Sequence, residues 1–122
     1  VVKNVMAFTG KRGVDVVIEN VGEAVWADAM KSLVRGGRLI TCGATSGDQP
    51  PADLRRIFIR QLQIIGSTLG NLQEFKDLLV FCEQHQIRPV IDRTFTMNQV
   101  HEALDVMSRA EQFGKLALTL QS

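Results

Sequence analysis

GGRLITCGATSG, residues 36–47, sets a short apolar run between glycines. Glycine where a strand hands over to a loop marks a tight turn or a close approach of something to the backbone. Gly36 and Gly37 are expected to close the preceding helix and turn the chain into a strand, RLITC. Gly43, Ala44 and Thr45 then begin a loop at the end of that strand. Whether this loop is a nucleotide contact or an ordinary turn depends on what surrounds it.

The same alternation extends in both directions. VVKNVMAF carries Val2, Val5 and Met6 at helical spacing from its first residues, as if the sequence began inside a helix of a longer protein. VDVVI (residues 14–18) is a β-branched run suited to a strand buried on both faces of a helix-covered parallel sheet. Trp26, Ala29, Met30 and Leu33 mark one helix face, with the C-cap expected at RGG. After the polar loop GATSGDQPPAD, Asp53 is placed to cap a short helix with Leu54, Ile57 and Phe58 on its apolar face. LQIIG (residues 62–66) is a third strand and STLGN a third loop. Asn71 with Glu74 forms a capping box opening a helix with Phe75, Leu78, Leu79 and Cys82 on one face. RPVIDRTF is extended. Thr96 with Gln99 is a second capping box, before a helix marked by Val100, Ala103, Leu104 and Met107. KLALTL (residues 115–120) alternates as a strand. Strands alternating with helices predict an α/β fold with a largely parallel sheet.

Bulk properties narrow the function. A chain of 122 residues suits one small domain, and 45% hydrophobic content argues for a folded core. Net charge is +1 with both signs interspersed, which points away from nucleic acid and anionic membranes. No apolar stretch approaches the roughly 20 residues of a membrane span. Cys42 and Cys82 stand apart, forming neither a disulfide framework nor a metal motif, and are expected to be buried small hydrophobes in a reduced, cytoplasmic setting. Asp15 and Asp92 flank strands without a visible partner.

Three loops leave strand ends: ENVG (residues 19–22), GATSG (residues 43–47) and STLG (residues 67–70). In open α/β sheets, ligands bind outside the carboxyl ends of the strands, so all three should open on one edge. Glycine lets a flat ring approach the backbone, and Thr45, Ser67 and Thr68 add hydroxyls. Ordinary turns of an α/β pattern have the same composition. No G-x-G-x-x-G or G-x-x-x-x-G-K-[ST] occurs, so neither a pyrophosphate turn nor a P-loop is encoded. ATSGD lacks the first glycine of a nucleophile elbow. His101-Glu102-x-x-Asp105 falls short of H-E-x-x-H and reads as an exposed helix face. His85 reads as a capping or surface residue.

GKRGVDVVIENVG, RGGRLITCGATSG, QLQIIGSTLG, RPVIDRTF and FGKLALTL, together and in order, resemble the C-terminal half of medium-chain dehydrogenases/reductases, nearest to the zinc-type alcohol dehydrogenases and zinc-less quinone oxidoreductases. The resemblance implies an α/β fold with a parallel sheet and flanking helices, the C-terminal half of a Rossmann-type NAD(P)-binding domain, over residues 1–122. It leaves residues 115–122, a C-terminal strand, open to assignment to the catalytic domain. It implies cofactor contacts from Val21 and Gly22 at the nicotinamide ribose. Gly43, Ala44 and Thr45 would lie beside the nicotinamide, Ser67, Thr68 and Leu69 at its carboxamide, and Lys115 close to the cofactor.

The implied parent uses NADP or NAD to transfer hydride to or from an alcohol, carbonyl, quinone or enone. Its pyrophosphate turn, and any zinc ligands, would precede Val1. The chain offers no catalytic residue or metal ligand, and alone is expected to be inactive. The resemblance further implies a homodimer through the edge strand at residues 62–66, with domain swapping an alternative. A non-catalytic nucleotide- or protein-binding module using the half-sheet is the competing reading.

Overall fold

The structure is a computed structural model of the chain and describes residues 1–120. The chain forms two compact units, Val1–Leu69 and Gly70–Ser122. The first contains helix α1 (Val2–Phe8), strand β1 (Val14–Glu19), helix α2 (Glu23–Ser32), strand β2 (Leu33–Thr41), helix α3 (Leu54–Arg60) and strand β3 (Gln63–Gly66). The strands lie in the order β1-β2-β3, and both pairs are parallel. Parallel neighbours require crossover connections, which α2 and α3 supply. No described helix is long and apolar enough to cross a membrane.

The core of this unit gathers Ala29 and Met30 of α2, Leu33 and Leu39 of β2, and Leu62. Val14, Val17, Trp26 and Ile57 pack against it. The apolar face expected for α2 is therefore real, except that Leu33 joins from the strand. The glycine reading needs a larger correction. Helix α2 ends at Ser32, its cap is the extended Leu33, and Gly36 and Gly37 lie inside β2. Val14 pairs with Leu33 but Val16 with Arg38, so residues 34–37 bulge out of the ladder, with Gly36 at φ +73°. A bulge needs the same left-handed backbone that a helix C-cap needs.

Strand β1 is covered less than its composition suggested. Ile18 is 75% exposed and Val16 is also exposed, so β1 is not buried on both faces. It also ends the strand order on that side. On α3, Asp53 accepts from the Arg56 N–H at 3.1 Å, as a cap should. Only Ile57 of its expected face reaches the core; Leu54 and Phe58 remain exposed.

The second unit contains helix α4 (Leu72–Gln84), strand β4 (Ile91–Thr96), a single 3-10 turn (Met97–Gln99), helix α5 (Val100–Ser108) and strand β5 (Lys115–Thr119). β4 and β5 pair in parallel. Its core is Phe95, Ala103 and Val106, with Leu116 packed against them. The buried positions of α5 are thus Ala103 and Val106; Leu104 and Met107 are exposed. The apolar face expected on α4 has no buried member. Of the C-terminal strand expected over residues 115–122, Gln121 and Ser122 lie outside the described residues.

The Asn71 capping box is complete. Its Oδ1 accepts from the N–H groups of Gln73 and Glu74 at 2.9 and 3.0 Å, and Glu74 Oε2 accepts from the Asn71 N–H at 2.7 Å. Asn71→Ala is expected to destabilise the second unit by about 1 kcal/mol. A lowered helix content or midpoint by circular dichroism checks it. At the second box, Gln99 Oε1 accepts from both the N–H and the hydroxyl of Thr96 at 3.1 Å.

Asp15 and Asp92 do have partners. Arg12 holds Asp15 through two hydrogen bonds, of 2.7 and 2.8 Å, which keep its carboxyl below the usual carboxylate range. Asp92 accepts from Arg93 Nε at 2.6 Å and from the Phe113 N–H at 3.1 Å, and is lowered for the same reason. All of these groups are solvent-accessible, so the pairs bind segments weakly.

Candidate functional site: three strand ends on one edge

The parallel register brings the ends of β1, β2 and β3 into a single row. Glu19 pairs with Thr41, and Thr41 with Gly66. The Cys42 N–H donates to the Glu19 carbonyl at 2.9 Å, and the Ser67 N–H to the Thr41 carbonyl at 2.9 Å. The three loops therefore leave the sheet side by side, as the strand-end rule requires. This edge holds Val21, Gly22, Gly43, Ala44, Thr45, Ser67, Thr68 and Leu69 within one unit. Lys115 belongs to the second unit, exposed at the start of β5, where its N–H donates to the Val90 carbonyl at 2.8 Å.

The first two loops are laced together. The Ser46 N–H and hydroxyl both donate to the Val21 carbonyl, each at 2.7 Å. The Ala24 N–H donates to Ser46 Oγ at 3.0 Å, and the Glu23 N–H to the Gly47 carbonyl at 3.2 Å. Gly22 sits in the crossing at φ +94°, where an added Cβ would meet the Gly47 carbonyl and lie 3.0 Å from Ala44 Cα. Only glycine combines that backbone with that space. At Gly43 a Cβ would lie 2.6 Å from the Asn20 carbonyl.

Glu19, the last residue of β1, braces the turn from below. It is 3% exposed. Its Oε1 accepts from the Val21 N–H and, at 2.7 Å, from the Gly22 N–H. Its Oε2 is buried with no partner among the described residues. Glu19 and Ser46 are the residues that sequence reasoning missed. A carboxylate ending a strand three residues before a glycine is the local hint for Glu19. Nothing local marks Ser46, because its partners lie more than twenty residues away.

These bonds decide what the edge can bind. A helix N-terminus binds anions through amides that the helix itself leaves unsatisfied. At α2, Gly22 gives its N–H to Glu19, Glu23 to Gly47, Ala24 to Ser46 and Val25 to the Gly22 carbonyl. Every amide of the first turn is taken, so this end cannot cradle a phosphate. The backbone of Val21 is likewise engaged at both its N–H and its carbonyl. By contrast, the N–H groups of Gly43, Ala44 and Thr45 have no partner among the described residues, nor do the carbonyls of Gly43 and Thr45. A short run of free donors and acceptors on an exposed loop suits a flat, neutral amide better than a phosphate.

The concavity beside these loops, lined by Gly22, Trp26, Thr41, Gly43 and Ala44 among others, measures about 270 Å³. That falls at or below the lower end of small-ligand sites, roughly 300 Å³, and is far too small to enclose a dinucleotide. Cys42, expected to be buried, is exposed because it lies one residue beyond β2; its Sγ faces the Glu19 carbonyl at 3.6 Å. His85 is an exposed C-cap whose ring stands 4.3 Å from that of Phe81. Among the described residues no three His, Cys, Asp or Glu side chains converge.

Known proteins share this chain's sequence and fold. The zinc-binding dehydrogenase family matches residues 2–118. A NAD-dependent alcohol dehydrogenase of Sulfolobus acidocaldarius is 28% identical over 117 residues, covering 95% of this chain and 34% of that protein. A quinone oxidoreductase-like protein 2 of Bos taurus is 24% identical over 123 residues, covering 93% and 35%. The solved structure of a cobalt- and zinc-bound thermostable alcohol dehydrogenase from Pyrobaculum aerophilum superposes with a TM-score of 0.77 at 28% identity, covering 96% of this chain and 34% of that one. The chain thus spans about a third of the length of these relatives. In sequence and in fold, the chain belongs to the zinc-binding dehydrogenase family, with an α/β fold of Rossmann type.

Proposed function

We propose that the chain supplies the nicotinamide-side wall of an NAD(P)(H)-dependent oxidoreductase. The parent would transfer hydride between a nicotinamide cofactor and an alcohol, carbonyl, quinone or enone. The observation that carries this reading is the row of strand ends in which Gly43, Ala44 and Thr45 keep free amides while the first turn of α2 is saturated. A bound cofactor would supply the redox chemistry; the chain's own residues would orient the ring and exclude water. Gly43, Ala44 and Thr45 would meet the nicotinamide, and Ser67, Thr68 and Leu69 its carboxamide. Val21 and Gly22 would border the ribose by contact rather than hydrogen bonds, because their amides serve Glu19. Lys115 is the remaining cofactor candidate.

Because these residues cannot hold the pyrophosphate, the chain alone should be inactive. Zinc, if the parent uses it, would be bound by residues outside this chain. We also propose that a second copy pairs along β3, an edge strand whose Ile64 and Ile65 are exposed; a hydrogen-bonding edge of this kind templates pairing.

Expressing the longest open reading frame that contains the chain, beside the chain alone, tests the proposal. The longer protein is expected to carry a G-x-G-x-x-G or close variant within roughly a hundred residues upstream. It should oxidise NADH or NADPH with an aldehyde or enone, while the chain alone should not. Absence of nicotinamide-dependent turnover in the longer protein would overturn the assignment.

A further inference from the structure

We infer that Ser46 is a positioning residue for the cofactor wall, a latch that fixes the free amides of residues 43–45 toward the ligand. This rests on the nicotinamide reading above. Ser46 makes three hydrogen bonds that tie the second loop to the β1 turn and the start of α2: two donated to the Val21 carbonyl and one accepted from the Ala24 N–H. Adjacent Gly47 adds a fourth through Glu23. The loop is pinned at its far end by these bonds and at its near end by Cys42 on Glu19. Between the two pins, the Ala44 carbonyl is also held, by the Gly47 N–H at 3.1 Å. What stays unengaged is the stretch meant to meet the ligand.

The hydroxyl is the part of Ser46 that matters. As donor to Val21 and acceptor from Ala24, it joins the loop to both the β1 turn and the start of α2, which an alanine cannot do. A loop held before binding loses less freedom on binding, so the latch should act on cofactor affinity rather than on chemistry. Ser46 is exposed and contributes nothing to the hydrophobic core, so removing its hydroxyl leaves the core intact.

The test uses the full-length polypeptide that carries the chain, as wild type, Ser46→Ala and Ser46→Thr. Ser46→Ala is expected to raise the cofactor KM by about fivefold. The substrate KM at saturating cofactor and the unfolding midpoint should stay near wild type. Ser46→Thr, which keeps the hydroxyl, should restore the cofactor KM. Amide exchange at Ala24 should quicken in the alanine variant alone. An unchanged cofactor KM in Ser46→Ala, or equal impairment of both variants, would overturn the latch. A wild type without nicotinamide-dependent turnover would instead overturn the reading on which the latch rests.

Discussion

Gly22→Ala should destabilise the first unit by about 3 kcal/mol or more, the combined effect of a left-handed backbone at a non-glycine residue and a backbone clash. The residue stands at φ +94°, and a methyl group there would collide with the Gly47 carbonyl and crowd Ala44. Neither neighbour can swing away, since both are main chain. The Gly47 carbonyl is itself engaged by the Glu23 N–H, so relief would come only by parting the two loops. Stability should fall, and with it any affinity for a nicotinamide. Trp26 is the only tryptophan, and it packs against the core of this unit, so its fluorescence reports this transition separately from the second unit. A variant that melts with the wild-type tryptophan transition would show that the loops are not interlocked as described.

Glu19→Ala should cost about 1–3 kcal/mol, because it strands the buried Gly22 amide and removes the partner of the half-exposed Val21 amide. Burial is what makes the loss large: Glu19 and Gly22 are both buried, so water replaces the bond to the Gly22 amide poorly, whereas the exposed Val21 can recover its own in part. Glu19→Gln retains an oxygen acceptor for Val21 and Gly22 and should lose at most about half as much. The order Glu, Gln, Ala in thermal stability, with faster amide exchange at Val21 and Gly22 in the alanine variant, is the expected result. Equal losses for both variants would mean that the negative charge, rather than the acceptor, holds the turn.

The sequence made some of this legible and hid the rest for identifiable reasons. VDVVI, RLITC and LQIIG announce strands because the apolar runs are short and bounded by glycine or turn residues, and their alternation with helices implies parallel pairing; the third strand starts one residue later than read, at Gln63. The capping boxes at Asn71 and Thr96 are local signals and hold locally. Gly36 and Gly37 misled because a positive φ serves a helix cap and a bulge equally, and only the pairing of Leu33 with Val14 separates them. Cys42 misled by a single residue, since β2 stops at Thr41. Val16 and Ile18 promised a strand covered on both faces, but composition does not say which neighbours arrive to cover it.

At the edge, the small residues of the loops were readable as a class. Their hydrogen-bond partners were not. That Ser46 satisfies Ala24, or that Glu19 uses up the amides of Val21 and Gly22, follows from the juxtaposition of two strand ends in register. The consequence is a sharper contrast: the amides at the α2 terminus all have partners, while those of residues 43–45 have none among the described residues.

The central claim, that this edge meets the nicotinamide half of the cofactor and not the phosphate-linked adenosine half, is most directly tested by amide chemical shifts of the chain. Reduced nicotinamide mononucleotide and adenosine monophosphate would be titrated in turn to millimolar concentration. The nicotinamide compound is expected to move the Gly43, Ala44 and Thr45 resonances, with smaller changes at Thr68 and Leu69, and the adenosine compound none of them. Shifts produced by adenosine monophosphate at these residues, or silence at Gly43 to Thr45 with the nicotinamide compound, would contradict it.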